Sequence, residues 1–290
     1  LAFSLSLTLS KSEKRMSKKR NIFIFILVLG TISLSAKTAQ RIVSLAPSIT
    51  KNLYFLGAQS NLIGCTSYCT EALADNKEVV ASAISVNLEK TISLKPDLVL
   101  ATTITNPETL EKLKQFGIQV EIFPTPVSFA EICQQFQHLG KLTSKTEIAD
   151  QITVNSQAKI NELKSAISKE YQPEVFFQIG TEPLFTVLEN TFMNDYITFA
   201  GGKNIARGLT KGTMTRENVM VKNPEYIFVV TMGIIGEEEI KNWSKYHGLK
   251  AADKHNIFEI NAEKACSPTP ITFVETMEVI VKLMNRKNVR

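Results

Sequence analysis

One device occurs twice in this 290-residue chain, and the two copies lie 128 positions apart throughout. The first copy is Glu89, six residues, Pro96, Asp97 and an apolar run over 98–101. The second is Glu217, six residues, Pro224, Glu225 and an apolar run over 226–230. A Glu in a first turn suits the positive end of a helix. Pro cannot continue a helix and biases its predecessor to extended geometry. An apolar run without alternation reads as a strand covered on both faces, as in a parallel sheet. A single copy would be an ordinary α/β junction, but two at one offset predict a duplicated lobe. A second echo supports this: Leu53 to Gly57 and Ala58 is matched by Ile197 to Gly201 and Gly202, at an offset of 144.

The alternation of patterns predicts βαβ units. In the first lobe, strands are expected at 42–45, 62–66, 98–101 and 119–123, with helices at 49–56, 87–93, 107–116 and 128–142. In the second, strands are expected at 175–179, 184–187, 227–230 and 257–260, with helices near 192–200, 215–222, 236–244 and 270–286. Between them, 144–171 contains neither Gly nor Pro. Ser144 and Glu147 stand at capping-box spacing, and Ile148, Ile152, Ile160, Leu163 and Ile167 form one stripe at helical period. This predicts one helix of about 40 Å, ended by Pro173. The expected organisation is a leader over 1–36, an N-terminal lobe over 37–143, a bridging helix over 144–172 and a C-terminal lobe over 173–290. The fold class is α/β, with two Rossmann-like lobes joined by one long rigid helix. Ligands of open α/β sheets bind at the carboxyl ends of the strands, so the cleft between the lobes is the expected site.

Residues 16–36 read as a secretory signal, with Met16 as the expected initiator: a basic start, eight uninterrupted apolar residues over 22–29, then small residues to Ala36. The apolar core is too short to span a bilayer, which takes about 20 residues. No Cys follows it, so the reading expects a periplasmic protein rather than a lipoprotein. The formal charge of +5 belongs to this leader, because 27 basic and 27 acidic residues follow Ala36. That balance removes the electrostatic case for nucleic acid. Of the four cysteines, Cys133 falls on an amphipathic helical pattern and Cys69 and Cys266 fall in strand-following loops. An extended reading of 62–69 places the Cα atoms of Cys65 and Cys69 roughly 13 Å apart, too far to bridge.

Several motifs together resemble the substrate-binding proteins of ABC importers for iron chelates, haem and cobalamin, nearest the cobalamin-binding branch. They are the run 41–50 (RIVSLAPSIT), Leu56-Gly57-Ala58, 66–69 (TSYC), Asn87-Leu88-Glu89 and 94–100 (LKPDLVL). In the second half they are 177–180 (FQIG), 200–205 (AGGKNI), Thr215-Arg216-Glu217 and 222–225 (KNPE). The resemblance covers essentially all of 41–285. It implies two lobes on a single long helix, no enzymatic activity and no cofactor other than the cargo. It implies a monomer that delivers a small-molecule metal chelate to an ABC permease dimer in the inner membrane. It also assigns Glu89 and Glu217 as one docking carboxylate per lobe, each meeting Arg on a two-fold partner.

The chain departs from the family pattern in places. Thr50 is followed by Lys51 where most members have Glu, and Cys69 by Thr70, Glu71 and Ala72. The cobalamin branch stacks its ligand on cleft tryptophans, whereas the one Trp here, Trp243, sits in a helix-like segment, and Ala83, Thr102 and Lys211 stand at the matching positions. The expected lining is Tyr68, Cys69, Thr102, Phe185, Lys211, Met214, Met232 and Cys266, whose aromatic, thioether and thiol groups suit a large flat macrocycle. A corrinoid, haem or ferric siderophore all remain as cargo. His138, His247 and His255 fall outside the cleft loops, which disfavours a bare metal ion. Gly-x-Gly-x-x-Gly, P-loop and Gly-x-Ser-x-Gly signatures do not occur. A secreted chelatase-like enzyme is the alternative of a different class.

Overall fold

The computed structural model describes residues 39–285, apart from 83–84, 168–169 and 231–234. The leader and the cleft positions Ala83 and Met232 lie outside the described residues. The N-terminal lobe runs β1 (Ile42–Ser44), α1 (Pro47–Phe55), β2 (Leu62–Thr66), α2 (Thr70–Ala74), β3 (Glu78–Ala81), α3 (Leu88–Ser93), β4 (Leu98–Thr102), α4 (Pro107–Gln115), β5 (Gln119–Phe123) and α5 (Phe129–Leu142). The helix α6 (Thr146–Ser165) follows. The C-terminal lobe runs β6 (Glu174–Thr181), β7 (Leu184–Thr186), α7 (Asn194–Phe199), β8 (Lys203–Asn204), α8 (Arg216–Lys222), β9 (Tyr226–Val229), α9 (Ile235–Ser244), α10 (Lys250–Asp253), β10 (Ile257–Glu259), α11 (Ala262–Ala265) and α12 (Pro270–Met284).

The first sheet has the order β3-β2-β1-β4-β5, with every pairing parallel. The second has the order β10-β9-β6-β7, with β8 also pairing β6, and only the β6–β7 pairing is antiparallel. Each sheet has a buried apolar cluster on both faces, which is why its strands read as unbroken apolar runs.

The 128-residue repeat is a repeat of backbone geometry. Asp97 N–H donates to the Arg41 carbonyl just before β1, and Glu225 N–H donates to the Glu174 carbonyl at the start of β6, each at 2.8 Å. Ile42 then pairs Leu98, and Val175 pairs Tyr226. The residue before each Pro is not extended, contrary to the sequence expectation. Lys95 and Asn223 are left-handed, at φ 50° and 46°. This conformation closes the helix, with the Lys95 N–H on the Ile92 carbonyl and the Asn223 N–H on Val219. It is costly for a Lys, and here Arg41 over-determines it by donating to the Leu94 and Lys95 carbonyls at 2.6 and 3.1 Å. The 144-residue echo also repeats a structure. Gly57 and Gly201 are both left-handed, and the next N–H in each copy returns to the carbonyl of Leu53 or Ile197.

The bridging helix differs from its sequence reading at both ends, while its apolar stripe packs against the cores at Ile152, Ile160, Leu163 and Ile167. Its N-cap is Lys145, without a side-chain hydrogen bond, and Ser144 is left-handed at φ 55°, so the expected capping box does not form. With 20 residues, α6 spans about 30 Å. Its buried residues are Ala149, Thr153, Ser156 and Ile160, whereas Ile148 is exposed. Small side chains win this face because α5 and α12 both pack closely against α6. Buried α5 residues divide between the two cores: Phe129, Ile132 and Cys133 join the C-terminal core, Phe136 and Leu139 the N-terminal one. Phe129 stacks on Phe273 of α12 at 4.5 Å, and its N–H donates to the Asp195 carboxylate of α7 at 2.8 Å.

Gly140 of α5 marks the closest approach in this seam. A Cβ there would meet the Ala149 Cβ at 2.5 Å and the Lys145 carbonyl oxygen at 3.2 Å. Gly→Ala within a helix ordinarily gains about 1 kcal/mol, while overpacking a tight contact costs about 1–3 kcal/mol. We expect Gly140→Ala to destabilise the protein in urea unfolding by up to about 2 kcal/mol net. A gain in stability would show that α5 and α6 are not held this closely.

Candidate functional site

Parallel strands deliver their following loops to one edge, and at that edge of the first sheet the structure contains a cavity of about 890 Å³. Its wall comes from the turns after β1, β2, β3 and β4, and the C-terminal lobe closes one side through α11 with Ala262, Glu263, Cys266 and Ser267. Tyr68 stands 62% exposed and Ile104 83% exposed at this cavity, with Leu73 and Val86 nearby, giving it an apolar face. Hydroxyls from Ser48, Ser67, Thr70, Thr102 and Thr105 provide the polar points. The charged groups are Lys51 and Glu71, paired at 3.4 Å, and Glu263.

Of the residues expected from sequence, Tyr68, Thr102 and Cys266 line this cavity. Cys266 is exposed, yet the surrounding walls push its thiol above the usual range by desolvation. Cys69 is placed differently from its expectation. It is 1% exposed, behind the wall, with its Sγ 3.1 Å from the Thr50 hydroxyl and 3.2 Å from that of Thr66. Met214 is also buried, packed in the core on one face of the second sheet. Phe185 and Lys211 are exposed on the C-terminal lobe, outside the lining of this cavity. The sequence reading missed the contributions of Pro47, Lys51, Ile104 and Thr109. Pro47 and Ile104 stand shortly after apolar strand runs, and Lys51 and Thr109 sit on the helices that come next.

The segment between Cys65 and Cys69 is not extended. Cys69 N–H returns to the Thr66 carbonyl at 3.2 Å, which makes a turn and folds Cys69 back beneath β2. The turn removes the extended geometry from which a separation of roughly 13 Å was expected, and both cysteines lie in the same buried cluster. The neighbouring Cys65 thiol, with the Thr50 and Thr66 contacts against the effect of burial, holds the Cys69 thiol below its ordinary range, while the neighbouring Cys69 and burial push Cys65 up.

Glu89 lies in the first turn of α3, whose N-cap Asn87 accepts from Lys90 N–H. Glu217 lies in the first turn of α8, whose N-cap Thr215 accepts from Asn218 N–H. Both are exposed, and among the described residues neither forms a salt bridge. Its own backbone N–H and the Thr215 hydroxyl hold the Glu217 carboxyl below the usual range. Each helix leads into a parallel strand, so its start lies at the cleft edge of its sheet. Next to Glu217, Arg216 Nη2 donates to Glu239 at 2.6 Å, and its guanidinium lies 4.7 Å over Trp243. Gln178 completes the ring, donating to Glu239 at 2.8 Å and accepting from Trp243 Nε1 at 2.7 Å. The one tryptophan is thus a buried anchor of α9 on the second sheet.

A model of the family described as periplasmic binding protein matches residues 42–263. This chain belongs to that family. The vitamin B12-binding protein of Vibrio campbellii is 28% identical over 264 residues, covering 89% of this chain and 94% of that protein. The vitamin B12-binding protein of Yersinia pestis (strain Pestoides F) is 30% identical over 208 residues, covering 70% and 74%. Among solved structures, the periplasmic vitamin B12-binding protein of Vibrio cholerae superposes with a TM-score of 0.73 at 24% identity, covering 87% of this chain and 99% of that one. The periplasmic haem-binding protein of Vibrio cholerae gives 0.76 at 18% identity, covering 84% and 98%. The fold is that of the family: two α/β lobes, one connecting helix and a cleft between the lobes.

In this periplasmic binding protein, Tyr68 offers the largest exposed aromatic face at the cavity. Loss of a stacked ring costs about 1–2 kcal/mol, or about tenfold in affinity. Tyr68→Ala is expected to weaken a cavity ligand by about that factor in calorimetry, with no change in melting temperature, because the ring is exposed. An equal loss of stability and affinity would make Tyr68 a structural residue instead.

Proposed function

We propose that this chain is the substrate-binding component of an ABC importer, and that it captures a metal chelate, a cobalamin or other corrinoid foremost, in the cavity beneath Tyr68. The observation that carries this reading is the cavity of about 890 Å³ at the carboxyl edge of a sheet, in a chain whose relatives over most of its length are named for vitamin B12 binding. Drug-sized ligands occupy about 300–1,000 Å³, so this cavity is at the upper end and suits a large ligand. Its wall of aromatic, aliphatic and hydroxyl groups makes contacts to a ligand that already holds its own metal. Haem is the second reading, because the Tyr68 phenol stands exposed at the cavity where an oxygen ligand to iron would be needed. A ferric siderophore fits the same wall. An enzymatic reading has little to draw on there, since Glu71 is engaged by Lys51 and Asp75 accepts the Tyr54 hydroxyl at 2.6 Å.

The monomer works in the periplasm after removal of the segment 1–36 and docks on a permease dimer through Glu89 and Glu217. Two equivalent exposed carboxylates, each at the start of an equivalent helix, suit a two-fold partner that offers Arg at two equivalent places. The shared core of α5, α6 and α12 ties the lobes together, so their spacing is expected to change little on filling of the cleft. With cyanocobalamin as cargo, charge reversal at both sites (Glu89→Lys with Glu217→Lys) is expected to lower uptake into permease-containing vesicles at least tenfold, about 1.4 kcal/mol. Cargo affinity and melting temperature are expected to stay as in the unaltered protein. Parallel loss of affinity, or unchanged uptake, would refute this division of labour.

A further inference from the structure

We propose that Glu263 decides which chelates the cavity accepts, and that it selects a periphery of neutral amides over one of carboxylates. This rests on the reading of the cavity as a cargo site. Among the described residues, the lining contains one side-chain cation, Lys51, and two carboxylates, Glu71 and Glu263. Lys51 is held by Glu71 at 3.4 Å, so that pair adds no net charge to the wall. Glu263 is exposed, and the adjacent Lys264 cannot neutralise it, because Lys264 pairs with Glu275 at 2.8 Å. The wall therefore carries one uncompensated negative charge, placed on α11, the element by which the C-terminal lobe closes the cavity. The backbone under Glu263 is fixed, since the N-cap Asn261 accepts from Lys264 N–H at 3.0 Å.

A primary amide suits this wall in both directions. Its N–H donates to the Glu263 carboxylate, and its carbonyl accepts from hydroxyls such as those of Ser48 and Thr102. A carboxylate of the same shape has no N–H to give and carries a like charge. Like charges about 7 Å apart, at effective dielectric constants between a protein surface and bulk water, lower affinity by about tenfold. An anionic periphery could find a cation only by drawing Lys51 from Glu71, which would leave Glu71 unpaired. The starts of α1 and α4 also line the cavity. The α4 end is already met by its cap Asn106 and by Glu108 in its first turn, and the α1 end supplies about half a charge, which offsets Glu263 only in part. Selection of this kind works by a repulsive element against the wrong ligand as much as by contact with the right one. The cargo class is then a corrinoid whose side chains are amides, and chelates with ionised carboxylates, haem among them, are the ones rejected.

The test uses two corrinoids that share cobalt, corrin ring and cyanide ligands and differ at the periphery: dicyanocobinamide, with amides, and dicyanocobyrinic acid, with carboxylates. Calorimetry at neutral pH and low salt is expected to show the amide form bound at least tenfold more tightly. In Glu263→Gln the ratio of the two affinities is expected to shrink about tenfold, and in Glu263→Lys to shrink further. The same charge change on the exposed face of α6, Glu147→Gln, is expected to leave the ratio as it was. An unchanged ratio in Glu263→Gln, or an equal shift in Glu147→Gln, would overturn the role of Glu263. Equal binding of the two corrinoids by the unaltered protein would overturn it while leaving the cargo reading intact. Failure of both to bind would contradict the cargo reading itself, and this inference with it.

Discussion

The structure depends on the close packing of three helices, with α5 and α12 laid against α6. A single connecting helix could leave two lobes free to swing, but here the connector is wedged between one helix from each lobe. Gly140 and Ala149 let α5 and α6 approach closely, and the Phe129–Phe273–Tyr196 stack carries the contact into the C-terminal core at 4.5 and 4.4 Å. The Asp195 carboxylate, in spite of the desolvation that raises its pKa, is held there by the Phe129 N–H. Opening the cleft widely would expose this shared apolar surface at about 25 cal/mol per Å², so only small closures are inexpensive.

A stiff frame determines what each face of the molecule can do. At the cleft, the cavity is built mainly by four turns of one sheet and is closed by α11 of the other lobe. The chemistry at that wall is contact chemistry, with an exposed phenol, aliphatic groups, hydroxyls and one ion pair. On the outer rim, two helix starts hold exposed carboxylates on opposite lobes. The ring of Arg216, Glu239, Gln178 and Trp243 ties the start of α8 to α9 and the second sheet, so the backbone that carries Glu217 is anchored. The cavity wall and the exposed rim carboxylates are thus separate sets of residues.

The α/β class, the two lobes and most long elements were legible because burial on both faces writes unbroken apolar runs, as at 98–101 and 226–230. The repeat of Glu, Pro and acid was legible because the same backbone junction needs the same residue types twice. Other features depend on tertiary contacts that leave no local pattern. Lys95 is left-handed because Arg41, distant in sequence, holds the carbonyls around it. The apolar stripe of α6 packs against the cores at Ile152, Ile160, Leu163 and Ile167, but it did not show that close helix approach buries Ala149, Thr153 and Ser156 and leaves Ile148 exposed. Cys69 and Met214 sit near the cleft in sequence but turn inward, and only the turn at Thr66 reveals this for Cys69. The short strand β3 escaped notice because two of its four residues are exposed.

The most direct test of the account is a titration of the purified protein with cobalamin, cobinamide, haem and a set of ferric siderophores, followed by calorimetry and visible absorbance. One-to-one binding of a corrinoid in preference to the others, weakened by loss of the Tyr68 ring, is the expected result. Failure of every chelate to bind would contradict the assignment of the cavity as a cargo site, and preference for haem or a siderophore would contradict the corrinoid reading.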